Sequence, residues 1–365
     1  MLKERSFYKL LKKKINIKKI ERSVAMLITL CIFSVSFIFF DTLVCSSISN
    51  VSSLRPMAST LREKDPAGFL LTSNEIRDNE MKKAEQTYIR KFGKTGLEFY
   101  IFGSGTIWFG RRWPMNNDKY RFPERSEIKK YLEIVFNNLI NKEGRVMLDV
   151  AAAYGLAEEI LGEILRDNPD WYSRAFIATK WGEEFDINTE RSVLDHSKKR
   201  LVASVKRSIR RLGRIDLLYV HGTTLRVLRN ENVMSQMQRM KSERYGGINY
   251  IGVSISKEGV LETAIKEGLI RDFDVVQMPG WLFLKRNDLV KKLYQKGIAI
   301  VLNSVIRASK INTSDSRACE SVYADFIKHK EVSVILLGTR NHLRETIAYI
   351  SPHFIVVDKK IQASA

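Results

Sequence analysis

Residues 195–221, DHSKKRLVASVKRSIRRLGRIDLLYVH, join an amphipathic stretch (195–213) to a short apolar run (215–220), and the run stops at a histidine. A helical period that gives way to four to eight apolar residues is the mark of a helix feeding a buried strand. The same alternation repeats in both directions. It predicts strands over 98–102, 145–150, 174–179, 215–220, 250–253, 273–277, 298–302 and 332–337. Helices are predicted between and after them, over 125–141, 157–166, 195–213, 227–241, 258–267, 285–295, 316–328 and 342–350. Eight parallel strands, each followed by a helix, close without an edge, so the expected fold is α/β, a (β/α)8 TIM barrel. The competing open sheet would carry a glycine-rich fingerprint between its first strand and a helix. Here Gly103-Ser104-Gly105-Thr106-Ile107-Trp108 runs on into Phe109-Gly110-Arg111-Arg112-Trp113-Pro114, which does not read as a helix, so no such fingerprint is expected.

In a barrel of this kind the chemistry sits at the C-terminal strand ends, where polar residues out of character with their strand are informative. Asp149 ends the second predicted strand, with Tyr154 in the turn beyond it; Lys180 ends the third and His221 the fourth. Singly, each has a plain structural role, as a helix cap or a solvated loop root. Together, an acid, a phenol, an amine and an imidazole on adjacent strands point to a proton-transfer centre. An ammonium at Lys180 lowers the pKa of a neighbouring phenol, and Asp149 would keep that ammonium charged. Neutral His221 can hydrogen-bond and orient a carbonyl oxygen, which takes its proton from Tyr154. None of these groups supplies a hydride, so a cofactor must.

These segments also resemble the aldo/keto reductase family. Asp149-Val150-Ala151-Ala152-Ala153-Tyr154-Gly155, followed by Glu158-Glu159-Ile160-Leu161-Gly162, is similar to that family's signature turn and helix. Thr179-Lys180, the stretch from Ser204 to His221 and Gly103-Ser104-Gly105-Thr106 extend the resemblance over about 97–350. It implies an NADPH-dependent reductase of aldehydes or ketones, with Tyr154 as acid/base, Lys180 and Asp149 tuning it and His221 placing the carbonyl. It further implies that Ser254 and Gln277 hold the nicotinamide amide, with Asn303 and Ser304 beside them. Gly338, Thr339, Arg340 and Glu345 would hold the adenosine 2′-phosphate, so the implied cofactor is NADP(H), with NAD(H) as the alternative. The chain departs from the family pattern at Ile255, where an Asn is usual, and at Asn303, where an aromatic ring or Arg often stacks on the nicotinamide. It departs again at Val305 in place of Pro and at Thr346 in place of Asn, and the loop 338–343 is about two residues shorter. These departures keep a second reading open, an NADP(H)-binding regulatory or interaction subunit with little or no turnover.

The rest of the 365-residue chain has a different character. Lys+Arg number 61 against Asp+Glu 41, a net charge of +20. Residues 1–94 hold 18 basic and 9 acidic side chains, the densest part of that excess. Nine of the basic residues fall in 1–23, directly before the uncharged run 24–40, VAMLITLCIFSVSFIFF. A basic leader before 17 uncharged, mostly apolar residues reads as an uncleaved signal-anchor with the leader in the cytoplasm, not as a nucleic-acid surface. A buried core helix, or a hydrophobic signal ahead of an organelle transit segment, are the other readings of this arm. The expected organisation is therefore a leader and anchor (1–45), a linker or transit-like segment (46–94), the barrel (95–352) and a tail (353–365). A small-molecule carbonyl substrate, the membrane and no nucleic acid are the expected partners. Cys31, Cys45 and Cys319 form neither a disulfide framework nor a metal site.

Overall fold

The structure is a computed structural model that describes residues 88–112, 121–137, 145–308 and 316–338. The expected leader, anchor and linker, and the predicted last helix at 342–350, lie outside the described residues. Among the described residues no helix is long and apolar enough to cross a membrane.

Eight parallel strands form a closed barrel: β1 (Phe102–Gly105), β2 (Val146–Asp149), β3 (Ala175–Trp181), β4 (Leu217–Val220), β5 (Tyr250–Ser254), β6 (Val275–Pro279), β7 (Ala299–Asn303) and β8 (Val332–Gly338). β8 closes on β1 with Leu336 opposite Gly103 and Gly338 opposite Gly105. Between successive strands, on the outside, run α1 (Arg125–Asn137), α2 (Ala157–Arg166), α3 (Lys198–Leu212), α4 (Glu231–Ser242), α5 (Glu258–Lys266), α6 (Asn287–Gln295) and α7 (Ser316–Ile327).

The opening segment shows how local chemistry sets these bounds. α3 starts three residues later than its period suggests because Ser197, in an extended conformation, caps it by accepting from the Arg200 N–H at 3.2 Å. It stops at Gly213, whose φ of 86° ends the helix. Leu201, Val205 and Leu212 form its buried stripe, each contributing about 1.5–3 kcal/mol of burial.

One expected strand is misplaced. Residues 98–102 divide: Glu98–Tyr100 pairs antiparallel with Ile89–Lys91 outside the barrel, and the barrel strand itself is Phe102–Gly105. The apolar pull of Phe99 is that of a floor, while Tyr100 and Ile101 pack into a separate core cluster. Phe92 and Phe99 pack tilted, 4.7 Å apart, and both meet Phe176 of β3 edge-on, at 5.8 Å and 4.8 Å. The glycine-rich stretch also leads into one turn of helix after all, Ile107–Gly110.

Strand residues alternate between interior and exterior with period two. Inside the barrel, Met147, Phe176, Ala178, Leu217, Tyr219, Val275 and Val301 share one buried cluster above the phenylalanine floor. Two residues further along the same strands come Asp149, Lys180, His221, Gln277 and Asn303. The pleat thus carries the apolar interior directly into a polar layer at the C-terminal mouth.

Candidate active site

Asp149 is held where β2 ends. Thr106, just past β1, gives both its N–H (3.0 Å) and its hydroxyl (2.9 Å) to the Asp149 carbonyl. The chain then makes a single 3-10 turn, Ala152–Tyr154, which ends at Gly155. Gly155 has φ +61°, and a Cβ there would stand 2.1 Å from the Gly110 carbonyl oxygen, so only glycine lets the two turns lie against each other. Arg111, one residue beyond Gly110, donates to the Ala153 carbonyl at 2.8 Å and so braces the turn that presents Tyr154.

Lys180 is placed by β3 and is 1% exposed. Its ammonium donates to Asp149 Oδ1 at 2.5 Å, to Tyr154 Oη at 3.1 Å and to the Val150 carbonyl at 3.2 Å. Burial works to neutralise it, but the Asp149 carboxylate and the Tyr154 oxygen more than compensate and lift its pKa above the ordinary value. Under β3, fully buried Glu158 accepts from Thr179 (2.7 Å) and Ser208 (2.7 Å) and pairs with Arg211 at 3.3 Å. This locks the strand to α2 and α3 immediately before Lys180.

The Tyr154 phenol behaves differently from expectation. Burial pushes its pKa up and outweighs the lowering by Lys180, so the net direction is upward. The ring of His221 meets that of Tyr154 edge to face, with centroids 6.2 Å apart. Burial first, then the charges of Lys180, Arg111 and His196, push the imidazole down to about 3, so it is neutral at physiological pH.

On the far side of the mouth, Gln277 is 1% exposed and donates to Asp149 Oδ2 at 2.8 Å. Its carbonyl oxygen accepts from Ser254 (3.1 Å) and Asn303 (3.3 Å). A hydroxyl and two amides at the ends of β5, β6 and β7, joined to the acid of the ion pair, form a donor and acceptor set suited to a carboxamide, so the nicotinamide end of the implied cofactor fits these residues. Ser304 follows, exposed, with φ 51°, a left-handed conformation unusual outside glycine. Gly338 sits on the β8 rim opposite Gly105. Thr339, Arg340 and Glu345 lie outside the described residues. Ile255 is wholly buried and offers no polar side chain to the mouth.

Sequence reading missed the hairpin that follows β3. Its strands, Glu183–Asp186 and Arg191–Leu194, stand beside His221 and Arg111. Gly182 marks where it begins, but nothing in the pattern marks Glu183 or Arg111 as neighbours of the site. A second buried phenol was also unforeseen. The Tyr219 ring occupies the space that Gly252 leaves, where a Cβ would lie 2.6 Å from it, and its hydroxyl has no partner among the described residues. Burial, then Asp149, push that phenol well above its usual pKa. A buried unpaired hydroxyl is costly, so Tyr219→Phe is expected to raise stability by about 1 kcal/mol, read as a later urea midpoint.

The Aldo/keto reductase family model matches residues 103–342, from β1 past the end of β8. The uncharacterized oxidoreductase YqkF of Bacillus subtilis (strain 168) is 32% identical over 127 residues, 34% of this chain and 40% of YqkF. The matched stretch therefore spans less than half of that relative. A Pseudomonas aeruginosa protein assigned to the aldo-keto reductases superposes with a TM-score of 0.57 at 25% identity, over 73% of this chain and 95% of its own. An aldo/keto reductase from Klebsiella pneumoniae, solved with NADP and acetate, superposes with a TM-score of 0.53 at 16% identity, over 72% and 89%, a likeness of fold. The family match takes in every barrel strand from Gly103 onward and well over half the chain, and it contains the four strand-end groups that the fold brings together: the chain belongs to the aldo/keto reductase family.

Proposed function

We propose that this chain reduces an aldehyde or ketone with NADPH. The observation that carries the reading is Lys180, whose buried ammonium bridges the Asp149 carboxylate and the Tyr154 hydroxyl. When bound, NADPH supplies the hydride that becomes the new C–H bond of the alcohol. Tyr154 gives its phenolic proton to the carbonyl oxygen as that oxygen gains charge, and Lys180 stabilises the phenolate left behind. Asp149 keeps the ammonium charged and placed. His221, neutral and beside Tyr154, orients the substrate. Ser254, Gln277 and Asn303 would take the nicotinamide amide, and Arg340 the 2′-phosphate. The Klebsiella relative solved with NADP supports that cofactor class.

The test is oxidation of NADPH by the full-length chain with a broad panel of aldehydes and ketones. Turnover supports the reading. Tight NADPH binding with no turnover supports the regulatory subunit, the alternative that Ile255 favours by removing a polar contact at a position where the family usually has Asn. Arg340→Ala is expected to erase the preference for NADPH over NADH; an unchanged preference removes Arg340 from the phosphate site.

We further infer that the chain is held at a membrane by residues 24–40, on the strength of the basic leader before them. Carbonate-washed membranes that retain the full chain but release one lacking residues 1–94 support the anchor; release of both refutes it.

A further inference from the structure

Arg111 has no step in the proposed reduction, yet its guanidinium is buried beside the turn that carries the phenol, at 4% exposure. Desolvating a guanidinium is costly, but its planar fork of donors can hold several groups in one geometry. Nη1 donates to the Ala153 carbonyl at 2.8 Å and lies 3.5 Å from Glu183 Oε1. Nη2 donates to the Ser192 hydroxyl at 3.0 Å, and the guanidinium carbon lies 4.2 Å over the centre of the Phe185 ring. Ala153 immediately precedes Tyr154, and its carbonyl shares a rigid peptide plane with the Tyr154 nitrogen. Holding that oxygen therefore fixes the plane from which the tyrosine departs.

The contacts to Glu183, Phe185 and Ser192 all fall on one face of the hairpin. Phe185 stands opposite Ser192 in the ladder, and Glu183, two positions before Phe185, shares its side. Glu184 points to the other face, where it pairs with Arg200 at 3.0 Å and with Arg207, both on α3. Phe185 also reaches the turn directly, since its ring lies 3.7 Å from where a Gly155 Cβ would stand. The hairpin is thus seated on α3 by one face and on Arg111 by the other. The guanidinium is the link between that second face and the peptide before Tyr154.

We propose that Arg111 is a positioning residue that couples this hairpin to the proton donor, so that the seating of the hairpin sets where the Tyr154 hydroxyl lies against Lys180. The proposal deepens the carbonyl-reductase reading and rests on it. The Tyr154 oxygen accepts from Lys180 at 3.1 Å, and a proton donor must keep that contact while its hydrogen faces the carbonyl oxygen of the substrate. Misplacement by ~1 Å, caused far from the chemistry, can cost about 10²-fold in rate. A lysine at position 111 keeps the charge but is a point donor; it cannot fork between Ala153 and Ser192 while lying flat on Phe185. The role belongs to the shape of the guanidinium, and charge alone does not replace it. Ser192 is exposed, so a change on the outer strand of the hairpin gains a route to kcat without touching the reacting groups.

Two measurements on the full-length protein test this. In the first, kcat for the best carbonyl substrate is expected to fall about ten-fold in Arg111→Lys and about three-fold in Ser192→Ala, with NADPH affinity by fluorescence unchanged. Ser192→Ala, at an exposed position, keeps the test open should Arg111→Lys fail to fold. In a Tyr154→Phe background neither substitution should lower the residual kcat further, because both act through the phenol. Losses that multiply with that of Tyr154→Phe, or wild-type kcat in either single variant, overturn the proposal. In the second measurement the chain carries tyrosine labelled with 13C at Cζ, and the Tyr154 signal is assigned by its loss in Tyr154→Phe. Arg111→Lys and Ser192→Ala are each expected to shift that signal; a signal unchanged in either overturns the coupling. Absence of turnover with every carbonyl compound sinks the reductase reading, while the Cζ signal still decides whether Arg111 and the hairpin place the phenol.

Discussion

Tyr154→Phe is expected to lower kcat for carbonyl reduction by about 10²- to 10⁴-fold while leaving NADPH affinity near the wild-type value. The ring stays, with its edge-to-face contact to His221 and the Lys180 ammonium 4.8 Å from its centroid, while the hydroxyl goes and with it the transferable proton and the hydrogen bond from Lys180. Because that proton moves in the transition state, kcat and kcat/KM should fall together. The pH dependence follows from the direction of the shift. Reduction needs the phenol protonated, and burial raises its pKa above the ordinary ~10, so turnover stays flat through neutrality and falls only on the alkaline side of that value. Alcohol oxidation needs the phenolate and should rise toward the same limit. The measurement is steady-state turnover of the best substrate from pH 6 to pH 11, with NADPH binding followed by fluorescence. A Tyr154→Phe protein retaining a tenth or more of wild-type kcat would remove this residue from the acid/base role.

How far the site was legible in the sequence depended on the pleat. Asp149, Lys180 and His221 stand two residues beyond Met147, Ala178 and Tyr219, on the inward parity of apolar strands, and so stood out as polar residues at the mouth. β1 was misplaced because Gly103-Ser104-Gly105 has neither the bulk nor the branching that marks a strand. Its place is set by backbone pairing with β8 and β2, while Phe99 before it serves the floor. Long-range polar contacts left no trace. Arg111 is a buried cation whose partners at Ala153, Glu183 and Ser192 are 42, 72 and 81 positions away. Spacing rules reach neighbours on one helix or strand, and these partners share neither. The direction of the Tyr154 shift was equally hidden, since the balance between burial and a nearby ammonium depends on how deeply the phenol lies.

Asp149→Ala is expected to destabilise the protein by about 3–5 kcal/mol, because it leaves the Lys180 ammonium buried without its counter-ion and the Gln277 amide without its acceptor. The loss should come with a reversed response to alkali. In the wild type the folded-state pKa of Lys180 is raised, so the stabilisation from its charge is complete below the unfolded value of ~10.4 and is lost as the pH climbs through the folded value. In Asp149→Ala, burial dominates and the folded-state pKa drops. The unfolded chain then binds more protons below ~10.4, and stability rises with pH toward that value. Replacing both partners, Asp149→Leu with Lys180→Met, removes the buried charge altogether and should recover most of the loss, at the expense of turnover. Urea midpoints of the wild type, the single variant and the double variant at pH 7 and pH 9 provide the comparison. If Asp149→Ala stays within about 1 kcal/mol of the wild type, or the double variant is no more stable than the single, Lys180 does not depend on Asp149 for its charge, and the proton held at Tyr154 must be governed by something else.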